Sequence, residues 1–489
     1  MSVQIRNTND LLSLSVGLRQ SRSGSYVRLR LYRGHDQLEE FRVQPADIGV
    51  PASLSLRHLR SYPLPESLPL DLLEPIAASA AGHRQDLEPL WLLLERSTPH
   101  LAVLPWERML RQKIDFPILR IPNLAVDPIF LEGELNLVVC ASSPRAKPSF
   151  DVAEATRVVV AAARDSVPAG CRIHVFCDQA YHGELQGIGG KGVTVYDPEE
   201  AAQYDSGMEE GVIPEGRGGL VSPWLRWMSD RLRRVPVDAV HFVCPGFFRS
   251  DQGALALAQS PTYNRNRNWS HFVGVHELTA FLDGVAAWSL GLSAPRHDVW
   301  VLGLRLLAES LTYSRPGPVV LDDFGQLPSP GPLAEAFRFL YAPEFRDSPD
   351  CPELTIYCHP RRLKEYAGPE SEFRASGQHL RSKETYEVYE SAMSRTQELL
   401  ESMGPRARGT GERGAAGGPE QWRQLNTVAA STERNVAQQA NRLVLDRAIA
   451  EYSKIGVTGS TDSARADGAA NAIRFVAELL SEPDDEGDV

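Results

Sequence analysis

Cysteine and histidine residues near the middle of the chain could support nucleophilic catalysis, in which an imidazole takes the proton from a thiol. His241 and Cys244 lie in an apolar segment that ends in Pro245-Gly246, and His297 follows a second apolar segment that ends in Pro295. Proline can neither accept a proton from a thiol nor attack a carbonyl carbon. The last positions of both segments are therefore unsuited to the chemistry of a cysteine peptidase.

Other groups in these segments offer alternative pairs. His241 and Cys244 are three residues apart on one predicted strand, so their side chains point to opposite faces and cannot form a dyad with each other. Cys244 with His297 is the remaining thiol–imidazole pair, although a buried structural thiol and an exposed histidine are the more common situation. A shift of the second segment by one or two residues would place Ser293 at the reactive position, still without a histidine at 245.

Metal and phosphate chemistry have weak sequence support. Cys351, Cys358 and His359 are close in sequence, but the second pair of ligands that a zinc site normally shows is absent. The glycine-rich residues 187–192 lack the Gly-Lys-Ser/Thr ending of a phosphate-binding loop. We expect no metal and no cofactor.

From about residue 129 the chain alternates between apolar runs and helical stretches. Such a pattern is typical of a mostly parallel sheet covered by helices on both faces, with working groups at the carboxyl ends of the strands. The predicted strands are 135–141, 172–178, 192–197, 237–244, 288–295 and 318–323, and the predicted helices are 151–163, 223–232 and 299–309.

The first 128 residues have a different pattern. Residues 26–32 alternate apolar and basic side chains, a turn is predicted at Gly34, and residues 41–43 can form the returning strand. This pattern predicts a hairpin with one hydrated face. Residues 90–94 are predicted to form a short apolar helix. In the Leu104-Pro105-Trp106-Glu107 sequence, Trp106 is expected to pack at the start of a helix that follows the proline.

Residues 100–325 resemble the CHAT family of caspase-like peptidases. The resemblance includes the Leu-Pro-Trp-Glu sequence and the two apolar segments that end in proline, and the order and spacing of these features match those of the family. Three further features contribute: a Gly-Ala-Leu hairpin at 251–257, a short helix at 277–282 and a helix at 303–308. The family's first strand ends in Cys-His-Gly, whose histidine is the base, and its second ends in a small residue followed by the nucleophilic cysteine.

The resemblance implies a caspase-like fold whose cysteine–histidine dyad is lost, because Pro245 and Pro295 occupy the two catalytic positions. It implies a scaffold, sensor or regulatory subunit of a bacterial multi-component defence or signalling system. The alternative is an active CHAT cysteine peptidase with a rearranged dyad of Cys244 and His297.

Composition favours a globular protein and argues against nucleic-acid or membrane partners. The chain has 489 residues, 42% of them hydrophobic and 23% charged, and a formal net charge of -12. Nucleic acids and anionic lipids bind cationic surfaces, so an acidic chain is a poor general partner for either. Six scattered cysteines fit reduced thiols, and no run approaches the roughly 18 apolar residues of a membrane span, so we expect a cytoplasmic protein.

The remaining third predicts partner contacts. Residues 404–420 are too rich in glycine to pack and are predicted to form a flexible linker, whereas 431–453 and 469–480 are predicted to form amphipathic helices that precede an acidic tail. We therefore expect an N-terminal α+β region (1–128), a caspase-like core (129–345), a connecting helical region (346–403), the linker (404–420) and a helical pair with the tail (421–489).

A protein partner is expected at one of two places. One is the C-terminal helical pair, whose apolar stripes need a covering surface. The other is a polar cationic loop beside the predicted cleft, in which Arg265 and Arg267 precede Trp269 and could contact an acidic segment.

Overall fold

The computed structural model describes residues 11–363 apart from 22–23, 35, 51–64, 86, 96–98, 123–127, 132, 145–149, 189, 205–219, 250–251, 263–269, 297–300 and 326–328. Several predictions lie outside these residues. They are the loop with Arg265, Arg267 and Trp269, His297, residues 364–403 of the connecting region, and the linker, helices and tail predicted in residues 404–489.

Fifteen strands and nine α-helices are described. The strands are β1 (Leu12–Ser21), β2 (Gly24–Arg33), β3 (Asp36–Val43), β4 (Leu90–Leu94), β5 (Ile118–Arg120), β6 (Leu135–Ala141), β7 (Cys171–Cys177), β8 (Val193–Val195), β9 (Ala239–Val243), β10 (Gly246–Arg249), β11 (Gln252–Ala258), β12 (Ser270–Gly274), β13 (Ser289–Pro295), β14 (Val319–Phe324) and β15 (Leu354–Tyr357). The helices are α1 (Leu70–His83), α2 (Pro99–Ala102), α3 (Trp106–Arg111), α4 (Val152–Ser166), α5 (Gln179–Leu185), α6 (Pro223–Leu232), α7 (Val275–Gly284), α8 (Val301–Ser314) and α9 (Pro330–Leu340).

Twelve of the strands form one sheet, in the order β3-β2-β1-β4-β5-β15-β14-β13-β9-β6-β7-β8. Eight neighbouring pairs in it are parallel, and three are antiparallel. The prediction of an α/β fold built on a mostly parallel sheet is confirmed.

Helices cover both faces of the central strands because these strands are apolar on both sides. One face packs against α4 and α9 through residues such as Val243, Val320 and Phe337. The other face packs against α6, α7 and α8. Side chains at the carboxyl ends of the strands are consequently enclosed between the helices on the two faces of the sheet.

Helices α4 and α6 begin where the sequence provides starting signals. α4 starts after Asp151, whose side chain accepts a hydrogen bond from the Glu154 N–H at 2.9 Å, and α6 begins at Pro223, as predicted. None of the described helices is long and apolar enough to cross a bilayer.

The N-terminal strands extend the same sheet. β2 and β3 form the predicted antiparallel hairpin. The helix predicted for residues 90–94 is wrong: Leu90–Leu94 is β4, which lies in parallel between β1 and β5. Five consecutive apolar residues do not distinguish a buried strand from a buried helix, and here the pairing with two neighbours decides.

A small second sheet follows β9 directly. β10, β11 and β12 are antiparallel and form the hairpin predicted around the Gly-Ala-Leu sequence, with one more strand. Gly253 of β11 and Gly303 of α8 allow close backbone contact, since a Cβ at 253 would overlap the Gly303 carbonyl and one at 303 would overlap Phe247. This contact fixes the small sheet against the helix that follows β13.

Candidate functional site at the carboxyl ends of the central strands

The strands that carry Pro245 and Pro295 are neighbours. β9 and β13 run in parallel with Ser289 opposite Ala239 and Ser293 opposite Val243, and β14 lies on the other side of β13. Pro295 ends β13, and Pro245 comes two residues after β9. Both prolines therefore lie at one edge of the sheet, where adjacent strands are about 4.8 Å apart.

Both prolines are buried, and both lie in backbone segments that are paired with a neighbouring strand. The Pro245 carbonyl accepts a hydrogen bond from the Ala256 N–H at 2.8 Å, and Gly246 opens β10. Pro295 pairs with Phe324, and the following Arg296 N–H donates to the Phe324 carbonyl at 2.7 Å. Neither position offers a group that could move a proton.

Cys244 is not placed for catalysis. Its side chain is fully buried and belongs to the apolar cluster under α6 to α8, on the face of β9 opposite His241. Burial raises the pKa of the Cys244 thiol above its ordinary range, so that the reactive thiolate is disfavoured. His297 lies outside the described residues.

Ser293 has a histidine partner that the sequence reasoning missed. His241 Nε2 lies 2.8 Å from Ser293 Oγ, and Ser293 Oγ donates to Asp322 Oδ2 at 3.3 Å. The three residues come from β9, β13 and β14, and their side chains are 1%, 1% and 5% exposed. We refer to His241, Ser293 and Asp322 as the buried polar network.

The proton positions in this network depend on the protonation state of Asp322. A serine hydroxyl has a single proton, so Ser293 Oγ cannot donate to His241 and Asp322 at once. When Ser293 donates to Asp322, the Nε2 atom of His241 carries the imidazole proton; a protonated Asp322 can instead donate to Ser293, which then donates to an unprotonated Nε2. The Nδ1 atom of His241 has no hydrogen-bond partner among the described residues.

Burial keeps the network uncharged near neutral pH. It lowers the pKa of His241 to about 3. Burial, together with the nearby Asp323 carboxylate, raises the pKa of Asp322 to about 8. Both groups are therefore neutral at pH 7, because the uncharged forms are favoured in a low-dielectric interior.

The network differs from a hydrolytic triad in order and in access. Asp322 contacts the serine, whereas a triad carboxylate orients the histidine through Nδ1. Phe337 of α9 packs edge-on to the His241 ring, with centroids 6.0 Å apart. With side chains no more than 5% exposed, no substrate can reach the hydroxyl.

A sequence signal for this network exists. His241, Ser293 and Asp322 are polar residues inside three apolar strands, and Gly291 precedes Ser293 by two positions on the same face. Gly291 lies opposite His241, and a Cβ there would overlap the imidazole ring. The glycine leaves the space that the histidine needs.

Charged side chains meet on the opposite face of β14. Asp323 Oδ2 accepts from Arg108 at 2.7 Å and also from Arg305 of α8. The Arg305 guanidinium donates in addition to the Leu104 carbonyl at 3.3 Å. The residues after Pro105 therefore contact the end of β14.

The Leu-Pro-Trp-Glu sequence has a structural role. Trp106 is fully buried at the start of α3, as predicted, and its Nε1 donates to the Leu101 carbonyl at 2.7 Å. Glu107 accepts from Arg120 of β5 at 2.6 and 3.2 Å. Burial would raise the pKa of Glu107, but the Arg120 guanidinium lowers it, and the net shift is downward.

The cysteines and histidine near residue 355 do not converge. The Cys351 thiol donates to the Pro332 carbonyl at 3.5 Å, and His359 Nδ1 accepts from the Arg361 N–H at 3.1 Å. Within the described part of the chain, no group of three or more His, Cys, Asp or Glu side chains is arranged to hold a metal ion.

Comparison with known proteins adds no assignment. No family model matches the chain, and neither a curated protein nor a solved structure matches it significantly.

Proposed function

We propose that the chain is a catalytically inactive caspase-like protein of the CHAT type. It acts as a scaffold, sensor or regulatory subunit of a bacterial multi-component defence or signalling system, in the cytoplasm. The observation that carries the proposal is the pairing of β9 with β13, which brings Pro245 and Pro295 together at the carboxyl edge of the sheet. In a caspase-like enzyme, the base and the nucleophile would occupy that edge.

The side chains around the two prolines support loss of catalysis. Cys244 is buried with a raised thiol pKa, and Ser293 is 1% exposed, with its hydroxyl enclosed between His241 and Asp322. The described residues near the edge thus provide no exposed nucleophile next to an acceptor. A protein of this kind recognises a partner and leaves its peptide bonds intact.

The partner of the proposed subunit is another protein. An acidic chain with a net charge of -12 is unsuited to nucleic acid. The proposed contacts are the loop with Arg265, Arg267 and Trp269 and the amphipathic helices predicted in residues 421–489, both of which lie outside the described residues.

A thiol-reactive peptidase probe separates this proposal from a peptidase with a rearranged dyad of Cys244 and His297. Native protein treated with a peptidyl acyloxymethyl ketone should give labelling at all six cysteines no faster than free cysteine does, because a thiolate is required for attack. Mass spectrometry of tryptic peptides measures the modified fraction at each site.

Two variants and a denatured sample complete the experiment. Urea-unfolded protein should label at every cysteine, which shows that the reagent is active, and Cys244→Ser identifies the signal of that site. Saturable labelling of Cys244 in the native protein that disappears in His297→Ala would refute the proposal in favour of the rearranged dyad.

A further inference from the structure

Three arginines of the N-terminal strands meet at one carboxylate. Arg19 of β1 and Arg28 and Arg30 of β2 each form an ion pair with Glu95, the residue that follows β4. All four residues lie outside the segment 100–325 that resembles the caspase-like family, and the proposed function assigns them no role. We call these three arginines together with Glu95 the N-terminal arginine site.

The strand register places the site on one face of the sheet. Alternate residues of β2 belong to the apolar core, so Arg28 and Arg30 between and beside them lie on the opposite face. In the pairing of β1 with β2, Gly17 lies opposite Arg28 and Ser15 lies opposite Arg30. Gly17 leaves space for the acidic group, because a Cβ there would come within 2.0 Å of Glu95 Cδ. The Glu95 carboxylate therefore lies over β1, beside the arginines of β2.

The site has more positive than negative charge. Glu95 is the carboxylate that the three arginines share, and they have no other ion-pair partner among the described residues. On the same face, Arg42 of β3 pairs with Glu40, so that pair adds no net charge. Three guanidinium groups against one carboxylate leave two positive charges uncompensated, in a chain whose formal net charge is -12.

The hydrogen-bond donors of the site are incompletely used. Glu95 Oε1 accepts from Arg30 Nη2 at 3.3 Å and from Arg28 Nη2 at 3.5 Å, and both distances exceed the roughly 2.9 Å of an ordinary N–H···O bond. The Nε atoms of Arg28 and Arg30 and the hydroxyl of Ser15, a residue 1% exposed, are buried without a hydrogen-bond partner. Buried polar groups are nearly always paired, so these three atoms indicate an absent acceptor.

Exposure increases along the site from Arg30 to Arg19. The side chains of Arg30, Arg28 and Arg19 are 11%, 19% and 32% exposed, so a small ion can enter beside Arg19. Charge-assisted hydrogen bonds to the deeper arginines are screened less by water and salt than bonds at an open surface. The unpaired donors of Arg28 and Arg30 therefore lie where they would contribute most to the binding of an anion.

We propose that the N-terminal arginine site binds a phosphate dianion, either free hydrogen phosphate or the phosphoryl group of a monoester. Guanidinium groups bind phosphate oxygens through parallel N–H bonds. The phosphate oxygens accept from the Nε atoms of Arg28 and Arg30 and from the Ser15 hydroxyl. A dianion matches the two uncompensated positive charges, whereas a carboxylate would neutralise one of them.

This inference goes beyond the proposed function and does not depend on it. In the order of the sheet, β4, β5, β15 and β14 separate β1 from the strand that ends in Pro295. Phosphate binding at the N-terminal strands is therefore compatible with a scaffold and with a peptidase. Saturable labelling of Cys244 by a peptidase probe would contradict the proposed function and leave the phosphate site intact.

The first experiment uses inorganic phosphate with the full-length chain. Isothermal titration and thermal unfolding at pH 7 and constant ionic strength should show saturable binding of phosphate and a rise in Tm that chloride does not give. Acetate, a monoanion, should bind about tenfold more weakly than phosphate or worse, because it forms fewer charge-assisted bonds. Arg30→Gln should weaken phosphate binding about tenfold or more for the same reason.

The matched control is Arg233→Gln. Arg233 lies on the surface after α6, with a side chain 76% exposed and paired with Asp230. This substitution changes the net charge by the same amount as Arg30→Gln, so phosphate affinity should stay close to that of wild type.

Ser15→Ala keeps the test valid if Arg30→Gln does not fold. The Ser15 hydroxyl has no hydrogen-bond partner in the free protein, so its removal should leave the Tm without phosphate unchanged or higher. Phosphate binding should nevertheless weaken about tenfold, because a hydrogen bond to a charged group is lost. A hydroxyl that only fills space would leave the affinity unchanged.

The second experiment identifies the source of the phosphate group by comparing phenyl phosphate with inorganic phosphate. Tighter binding of phenyl phosphate, weakened in Arg30→Gln, identifies a monoester ligand, and equal or weaker binding identifies free phosphate. The proposal is wrong if neither compound binds saturably, if acetate binds as tightly as phosphate, or if Arg30→Gln and Arg233→Gln weaken binding equally. It is also wrong if Ser15→Ala binds phosphate as wild type does.

Discussion

At the level of single residues, His241, Ser293 and Asp322 place two ionisable groups in the interior and keep both neutral. Burial moves their pKa values in opposite directions, to about 3 for His241 and about 8 for Asp322. In the unfolded chain the two groups return to values near 6.5 and 3.9. Folding therefore changes the protonation of each group, and the stability of the protein depends on pH through both.

Asp322 should make the folded state less stable as the pH rises. Between about pH 4 and pH 8 the unfolded chain has an ionised Asp322 while the native state retains the proton, so stability falls by about 1.4 kcal/mol per pH unit relative to Asp322→Asn. Urea unfolding of both proteins at pH 5, 6, 7 and 8 measures this difference.

His241 acts in the opposite direction and in a lower pH range. The unfolded chain binds a proton at His241 below about pH 6.5, which the native state does not, so stability is lost as the pH falls. Between pH 4 and 6.5 the two effects cancel in the wild type, and the downward slope appears from about 6.5 to 8. Asp165→Asn, an exposed carboxylate on α4, should keep the wild-type slope. An equal slope in Asp322→Asn and wild type would contradict the prediction.

The sequence predicted the strand ends but not this network. Pro245 and Pro295 follow apolar runs, and a turn after such a run can be predicted from a single sequence. The contact between His241 and Ser293 depends on the register of β9 against β13, which links residues 52 positions apart and which strand periodicity alone does not specify.

At the level of elements, β9 and β13 fit together because Gly291 of β13, which lies opposite His241 of β9, has no side chain. Gly291 lies opposite His241 in the parallel register, and the imidazole occupies the space beside it. Interiors are packed closely, so an added methyl group must displace a neighbour that cannot move freely. Here the neighbour is held by Ser293 and by Phe337.

Gly291→Ala should therefore destabilise the protein by about 1–3 kcal/mol or more, through overlap with the His241 ring. The same substitution at Gly82, where an added Cβ meets no atom within 4 Å, should be neutral or stabilise helix α1 by up to about 1 kcal/mol. Urea or thermal unfolding compares the two variants. Equal stability of Gly291→Ala and Gly82→Ala would show that the two strands are not packed in this way.

Element type could be predicted where the pattern is long or distinctive. The β2–β3 hairpin and helices α4 and α6 follow from alternation, capping and proline signals. The short run Leu90–Leu94 was assigned to the wrong element, because its conformation is set by the neighbouring strands β1 and β5. Strands β1 and β15 were not predicted.

At the level of the whole molecule, one buried ion pair connects the N-terminal strands to the central ones. Arg120 of β5 binds Glu107 of α3 and donates to the Tyr357 hydroxyl of β15 at 2.8 Å, and that hydroxyl donates to Glu309 of α8 at 2.6 Å. Arg120 and Glu107 are each 2% exposed. Four elements depend on one guanidinium group.

Arg120→Met should cost about 3–5 kcal/mol, because it leaves the Glu107 carboxylate buried without a counter-charge. Arg172→Met breaks a surface pair with Glu134, whose side chains are 58% and 41% exposed, and should cost less than about 1 kcal/mol. Chemical denaturation gives both values. The double variant Arg120→Met, Glu107→Met should regain much of the loss, and an equal cost for the two single variants would argue against this role of Arg120.

The position of β15 in the sheet affects how the chain can fold during its synthesis. It is the strand that joins β5 to β14, and it is the last of the twelve in sequence. During translation, the five strands on one side of β15 and the six on the other cannot be joined until Tyr357 has left the ribosome. Until then, β5 and β14 each lack one neighbouring strand. A nascent chain that stalls before that residue has two unpaired strand edges, which makes premature termination in this region a cause of aggregation.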